Sequence, residues 1–201
     1  MSWIKTVSRE AATGRLKSIY DRVAGPDGQI DNILASHSLR PHTLEGHMAL
    51  YKATLHHFGN TLDKAYLETI GTYVSMLNKC AYCVEHHFAG LKRLLGDDAR
   101  AAEIRSALES DDLASAFDGR DLAGLEYARE LTRQPSALSG EVIERMRAAG
   151  FDDGEVLEIN QVTAYFAYAN RTVLGLGVSH VGEELGLSPN DSDSPDDWSH
   201  G

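Results

Sequence analysis

Apolar residues recur at intervals of three and four along almost the whole chain, and no stretch alternates apolar and polar residues as a half-buried strand would. That periodicity confines the fold to packed helices. Ser8 is placed to cap a helix running to about Val23, with Leu16, Ile19, Tyr20 and Val23 on one face. Gly25-Pro26-Asp27-Gly28 breaks it, and a short helix follows around Ile30–His37. Further helices are expected from Pro41 to Phe58, from Thr61 to Asn78, from the Cys80–Cys83 region to Gly96, from Asp97 to Leu108, from Asp121 to Arg133 and from Ser139 to Ala149. Asp152 and Glu155 form a capping-box pattern that opens a last long helix to about Gly175. Residues 1–187 therefore read as one all-α domain, with about 1–39 as an N-terminal helical extension. Residues 188–201, rich in Pro, Asp and Ser, read as an acidic disordered tail.

The 201 residues suffice for one sizeable core, and 42% hydrophobic with 24% charged residues is ordinary for a globular chain. A net charge of -11 repels phosphate and argues against nucleic acid as a partner. No run approaches the ~18 apolar residues of a membrane span, and Met1–Tyr20 lacks an apolar secretory core, so a cytoplasmic protein is expected.

Two cysteines cannot staple a domain of this size, and both lie in Cys80-Ala81-Tyr82-Cys83-Val84-Glu85-His86-His87. A CxxC in a cytosolic chain points to redox or metal chemistry. The motif opens a helix, where unpaired N–H groups and the macrodipole stabilise thiolates, and Lys79 is adjacent. His87 lies one turn beyond Cys83. Glu68 would stand ~18 Å from Cys80 on a straight helix at 1.5 Å per residue. A helical hairpin turning near Asn78–Lys79 instead brings Glu68 level with His87. Cys80 and Cys83, a histidine to move protons and a carboxylate to orient it then share one site. Glu68 faces away from the stripe Leu62, Tyr66, Ile70, Tyr73 and Leu77. Its neighbours Gly71, Thr72 and Ser75 are small, which suggests that another element packs there.

Blander readings compete. A zinc site from Cys80, Cys83 and His86 or His87 lacks a second ligand pair at standard spacing. Seven of nine histidines fall between His37 and His87, yet no two stand at i, i+4, so surface or interface roles are favoured over metal binding. His86 projects about 100° from His87 and is expected at the surface. No cofactor and no metal are expected.

The pattern Glu-x11-Cys-x2-Cys-x3-His, as Glu68, Cys80, Cys83 and His87, resembles the active-site pattern of alkylhydroperoxidase D, of the carboxymuconolactone decarboxylase-like superfamily. The resemblance spans about residues 40–187. It extends to Gly150-Phe151-Asp152-Asp153-Gly154-Glu155, Phe166 and Asn170-Arg171, and the N-terminal helices look closest to the peroxidase-related branch. It implies an alkylhydroperoxidase D-like helical bundle with the CxxC at the N-terminus of a core helix, assembled as a homo-oligomer. It also implies that Cys83 attacks a hydroperoxide, that Cys80 resolves the product to a disulfide, and that His87 and Glu68 relay protons. A dithiol reductant, lipoyl- or thioredoxin-like, would reopen the disulfide. Alkylhydroperoxidase D carries a second histidine between its cysteines, where this chain has Tyr82, a poor base at neutral pH. That departure keeps a thiol–disulfide oxidoreductase or redox sensor with weak peroxidase activity in play. A lyase like carboxymuconolactone decarboxylase, working without thiol chemistry on the same fold, is the third reading.

Overall fold

The computed structural model describes residues 1–194 and 197–199. Among them nine α-helices and no strand occur: α1 Gly14–Val23, α2 Asn32–Ser36, α3 Pro41–Tyr51, α4 Lys64–Leu77, α5 Ala81–Leu95, α6 Asp98–Ser110, α7 Gly119–Arg133, α8 Gly140–Ala148 and α9 Asp153–Leu176. α3 runs on as one π-helical turn, Lys52–His56.

The central helix is α4. Asp63 caps it, accepting from the N–H groups of Ala65 (2.8 Å) and Tyr66 (3.3 Å), and Leu67, Ile70, Tyr73 and Val74 are fully buried. Each such aliphatic side chain contributes ~1.5–3 kcal/mol by leaving water. The opposite face is buried as well, including Glu68, Thr72 and Ser75. α9 covers it: a Cβ on Gly71 would lie 2.1 Å from the Phe166 ring, so only glycine permits the approach. This is the packing anticipated from the small residues beside Glu68. α9 itself opens on a complete capping box, with Glu155 N–H donating to Asp152 (2.8 Å) and Asp152 N–H donating to Glu155 (2.9 Å).

The turn between α4 and α5 is tight. Lys79 takes a left-handed conformation (φ 58°), and the Cys80 N–H donates to the Ser75 carbonyl at 2.9 Å. α5 then returns antiparallel to α4, with Cys80 as its N-cap residue and Cys83 in its first turn. Gly96, at φ 59°, closes α5.

A second core joins α1 to α3 through Leu16, Ile19, Tyr20, Val23, Leu44 and Met48. The expected apolar face of α1 is thus in place, but the helix begins at Gly14 rather than Ser8. Thr13 is extended and Gly14 lies at φ 54°, which breaks the helical path, while Ser8 accepts from the Ala11 N–H in a preceding turn (3.3 Å). The helix expected from Thr61 begins at Lys64, because the Thr61 hydroxyl and N–H bond Glu158 of α9 at 3.0 and 2.8 Å.

The described part of the C-terminal segment departs from the expected disordered tail. Trp198 is 2% exposed in the second core, under the Arg22 guanidinium. The buried Lys52 ammonium donates to Ser192 Oγ (2.9 Å) and to the carbonyls of Ser194 (2.8 Å) and Asp197 (2.6 Å). One aromatic anchor and one buried cation hold a polar segment that composition alone reads as loose. The rest of that expectation, on Pro195, Asp196, His200 and Gly201, lies outside the described residues.

Candidate active site

The hairpin brings Glu68 of α4 and His87 of α5 together: Glu68 Oε2 lies 2.8 Å from His87 Nδ1. Both are shielded, with side chains 5% and 13% exposed. Burial favours the protonated carboxyl. The charge and hydrogen bond of His87, with His56 and Arg93 nearby, outweigh it and hold Glu68 below the usual carboxylate range. The bond at Nδ1 leaves His87 Nε2 to act on a substrate. The His87 ring stands edge-on to Phe166 at 4.5 Å between centroids, so α9 fixes its plane.

Cys80 and Cys83 are both free thiols, packed with Val173 and Val178. Both are buried, Cys80 completely. Only Cys83 lines a cavity of about 50 Å³, together with Glu68, His87, Tyr51, Tyr82 and Tyr165. The two thiols are linked. The Cys83 thiol as hydrogen-bond donor holds Cys80 below the usual thiol range, against burial. The same bond, then burial and the Cys80 charge, push Cys83 well up, with Asn170 opposing. Of the two sulfurs, Cys80 is thus the easier to ionise and Cys83 the harder. Asn170, wholly buried, donates to Ser75 Oγ (3.0 Å) and accepts from Asn78 (2.9 Å), tying α9 to the turn that carries the motif.

Several site residues escaped the sequence reading. Tyr51 stacks on Tyr165 (5.4 Å) and meets His87 edge-on (6.0 Å). His56 Nε2 lies 3.8 Å from Glu68 Oε1. Burial lowers His56 to about 4, so this contact is a neutral imidazole beside a carboxylate rather than an ion pair at neutral pH. Burial lowers His47 to about 3. His47 and Tyr51 do stand one turn apart on α3, the one local signal that they share a face. Glu68 also lines a second, outer cavity of about 320 Å³ with His56, Lys64 and Arg93.

His86 is not at the surface. It is 8% exposed, stacked on Tyr82 (4.5 Å) and 3.4 Å from Glu183. The chain after α9 folds back over α5 and covers it. The Tyr82 hydroxyl donates to Glu183 (3.0 Å), so it is engaged away from the cysteines. Glu183 has no periodic neighbours in sequence that would mark it. Among the described residues no three His, Cys, Asp or Glu side chains are arranged to hold a metal ion, and no helix is long and apolar enough to cross a membrane.

Residues 41–130 match the carboxymuconolactone decarboxylase family model. The fold is similar to that of a peroxidase-related protein with an alkylhydroperoxidase AhpD core from Ralstonia eutropha JMP134 (22% identity, TM-score 0.77, 89% of this chain and 91% of that one). It is similar also to a peroxidase-related protein from Silicibacter sp. TM1040 (27%, 0.67, 76% and 77%). A third similar structure is the debrominase Bmp8 (16%, 0.68, 87% and 89%). No curated protein sequence matches the chain. The all-helical fold is thus of the alkylhydroperoxidase D-like type, and residues 41–130 are similar to the carboxymuconolactone decarboxylase family. Proteins that share this fold include both peroxidase-related proteins and a debrominase.

Proposed function

We propose that this protein is a thiol-dependent peroxidase working through a Cys80–Cys83 disulfide cycle. The observation that carries the reading is that Cys83, alone of the two sulfurs, faces a cavity also lined by the His87–Glu68 pair.

Cys83 first passes its proton to the Cys80 thiolate along the bond they share. The Cys83 thiolate then attacks the near oxygen of the peroxide; the S–O bond forms, the O–O bond breaks, and Cys83 becomes a sulfenic acid. His87 protonates the departing oxygen, giving water or an alcohol. Glu68 stabilises the imidazolium beforehand and orients the ring. Cys80 loses its proton again and attacks the Cys83 sulfur. Hydroxide leaves and is protonated to water, and the disulfide closes. The proton that Cys80 releases passes through His87 to the departing hydroxide, and His87 is reprotonated from solvent by way of Glu68 and the outer cavity that this carboxylate also lines. An external dithiol, lipoyl- or thioredoxin-like, takes up the oxidation by exchange.

A second reading has its own support. The thiol that ionises more readily is Cys80, not the cavity-facing Cys83, whose proton is held more tightly. That favours a thiol–disulfide oxidoreductase that reacts slowly with peroxide. Timing both reactions on one reduced preparation separates them. Peroxide oxidation faster than exchange with a dithiol partner's disulfide supports the peroxidase; the reverse order supports the exchange role.

A further inference from the structure

The cavity at Cys83 is closed by a segment that takes no part in the proton relay. Gly186, Leu187, Ser188 and Pro189 form one wall of it, and Leu187 also reaches Gly25. Gly186 is seated backbone to backbone on α5: a Cβ there would lie 2.9 Å from the Gly90 nitrogen, and φ is 80°. Arg93 donates to the Gly186 carbonyl.

The segment is fastened upstream by Glu183, whose side chain is 5% exposed. A buried carboxylate needs donors, and Glu183 has three: the Tyr82 hydroxyl (3.0 Å), the Asn32 N–H at the start of α2, and His86 Nε2 (3.4 Å). Tyr82 in turn accepts from the Ile33 N–H at 3.3 Å. The carboxylate is absent from the cavity lining. It joins the wall to the residue between the two cysteines. A cavity of about 50 Å³ holds a few waters' worth of substrate, at ~10–15 Å³ each, whereas ~150 Å³ is the scale that admits a benzene ring.

We propose that Glu183 is a specificity-determining latch that holds the Gly186–Pro189 wall against Cys83 and restricts the site to oxidants the size of hydrogen peroxide. In this account Tyr82 does not replace a catalytic base; it is the catch on which the latch closes. The inference rests on the peroxidase reading for its substrate but not for its geometry.

The test uses two reagents of one chemistry. Reduced full-length wild type, Glu183→Ala and Leu187→Ala are alkylated with iodoacetamide or its N-phenyl analogue, each rate being normalised to a free cysteine peptide. Modification of Cys83 is read by mass spectrometry, and oxidation by hydrogen peroxide and cumene hydroperoxide is timed in parallel. Wild type is expected to disfavour the phenyl reagent and cumene hydroperoxide by about tenfold or more. Both variants lose most of that discrimination while the iodoacetamide rate stays within a few-fold. Leu187→Ala thins the wall without touching the latch, so it answers for Glu183→Ala should that variant fail to fold. Equal labelling of wild type by both reagents, or an unchanged ratio in the variants that fold, overturns the latch. Discrimination in labelling without any reaction with peroxide upholds the latch and removes the peroxidase reading.

Discussion

Glu68 and His87 stand nineteen residues apart in the chain and 2.8 Å apart in space, joined across the α4–α5 hairpin. The distance follows from one tight turn: Lys79 in the left-handed region reverses the backbone within three residues and sets Cys80 at the head of α5. A longer connection would let the two helices slide, and the carboxylate would no longer meet the imidazole one turn beyond Cys83.

Replacing Glu68 by Gln keeps its volume and removes its charge. Peroxide-dependent oxidation of the dithiol is expected to slow by about two orders of magnitude, the lower range for losing general acid–base help. The same change acts on stability. The folded-state carboxyl is held below its ordinary range, so it contributes stability above that range and loses it as pH falls through the lowered value. The melting temperature of wild type should therefore drop more steeply than that of Glu68→Gln in acid.

His47 and His56 act with the opposite charge. Burial lowers them to about 3 and about 4, so both are neutral in the folded state at neutral pH. The unfolded chain takes up their protons first, and folding stability is fully present above about pH 6.5 and falls between there and about pH 4. Each contributes a slope of ~1.4 kcal/mol per pH unit in that window. Denaturant titrations across it should show His56→Phe flattening the loss by about one proton.

Gly71→Ala sets a methyl group within 3 Å of three carbons of the Phe166 ring. Overpacking of this kind costs ~1–3 kcal/mol. Because Phe166 also braces the His87 ring, the variant should lose activity along with stability. Chemical denaturation and peroxide oxidation rates measured on one preparation check both.

Asn170→Leu removes a partner of the buried Ser75 Oγ and of the half-buried Asn78 amide. Ser75 keeps its bond to the Gly71 carbonyl and Asn78 is half-buried, so the loss is that of ordinary hydrogen bonds, ~0.5–1.5 kcal/mol each. The variant also withdraws a group that lowers the Cys83 thiol. Alkylation of Cys83 should then require higher pH than in wild type, a shift that a purely structural role would not produce.

The hairpin was legible because helix period and chain spacing are geometric: counting back from Asn78 and forward from Lys79 sets Glu68 level with His87. The Asp152 capping box was legible because both of its bonds are local. The small face around Gly71 announced a close neighbour without naming Phe166. What escaped depends on contacts far apart in sequence. His86 projects away from the relay, as its angle requires, but the returning segment around Glu183 buries it. Trp198 and Lys52 fix a tail whose composition signals disorder, since composition does not register one anchoring ring or one caged ammonium. The difference between the two cysteines was also hidden. Both share the helix N-terminus, and it is first their mutual hydrogen bond, then the cost of burial at Cys83, that sets the two apart.

The most direct test of the peroxidatic assignment is mass spectrometry of the reduced protein after one equivalent of hydrogen peroxide. Wild type should lose two hydrogens and yield a Cys80–Cys83 disulfide. Cys80→Ser should instead retain one added oxygen on Cys83, trapped as a sulfenic acid, and Cys83→Ser should leave the peroxide unconsumed. Oxygen found on Cys80, or consumption by Cys83→Ser as fast as by wild type, would contradict the assignment.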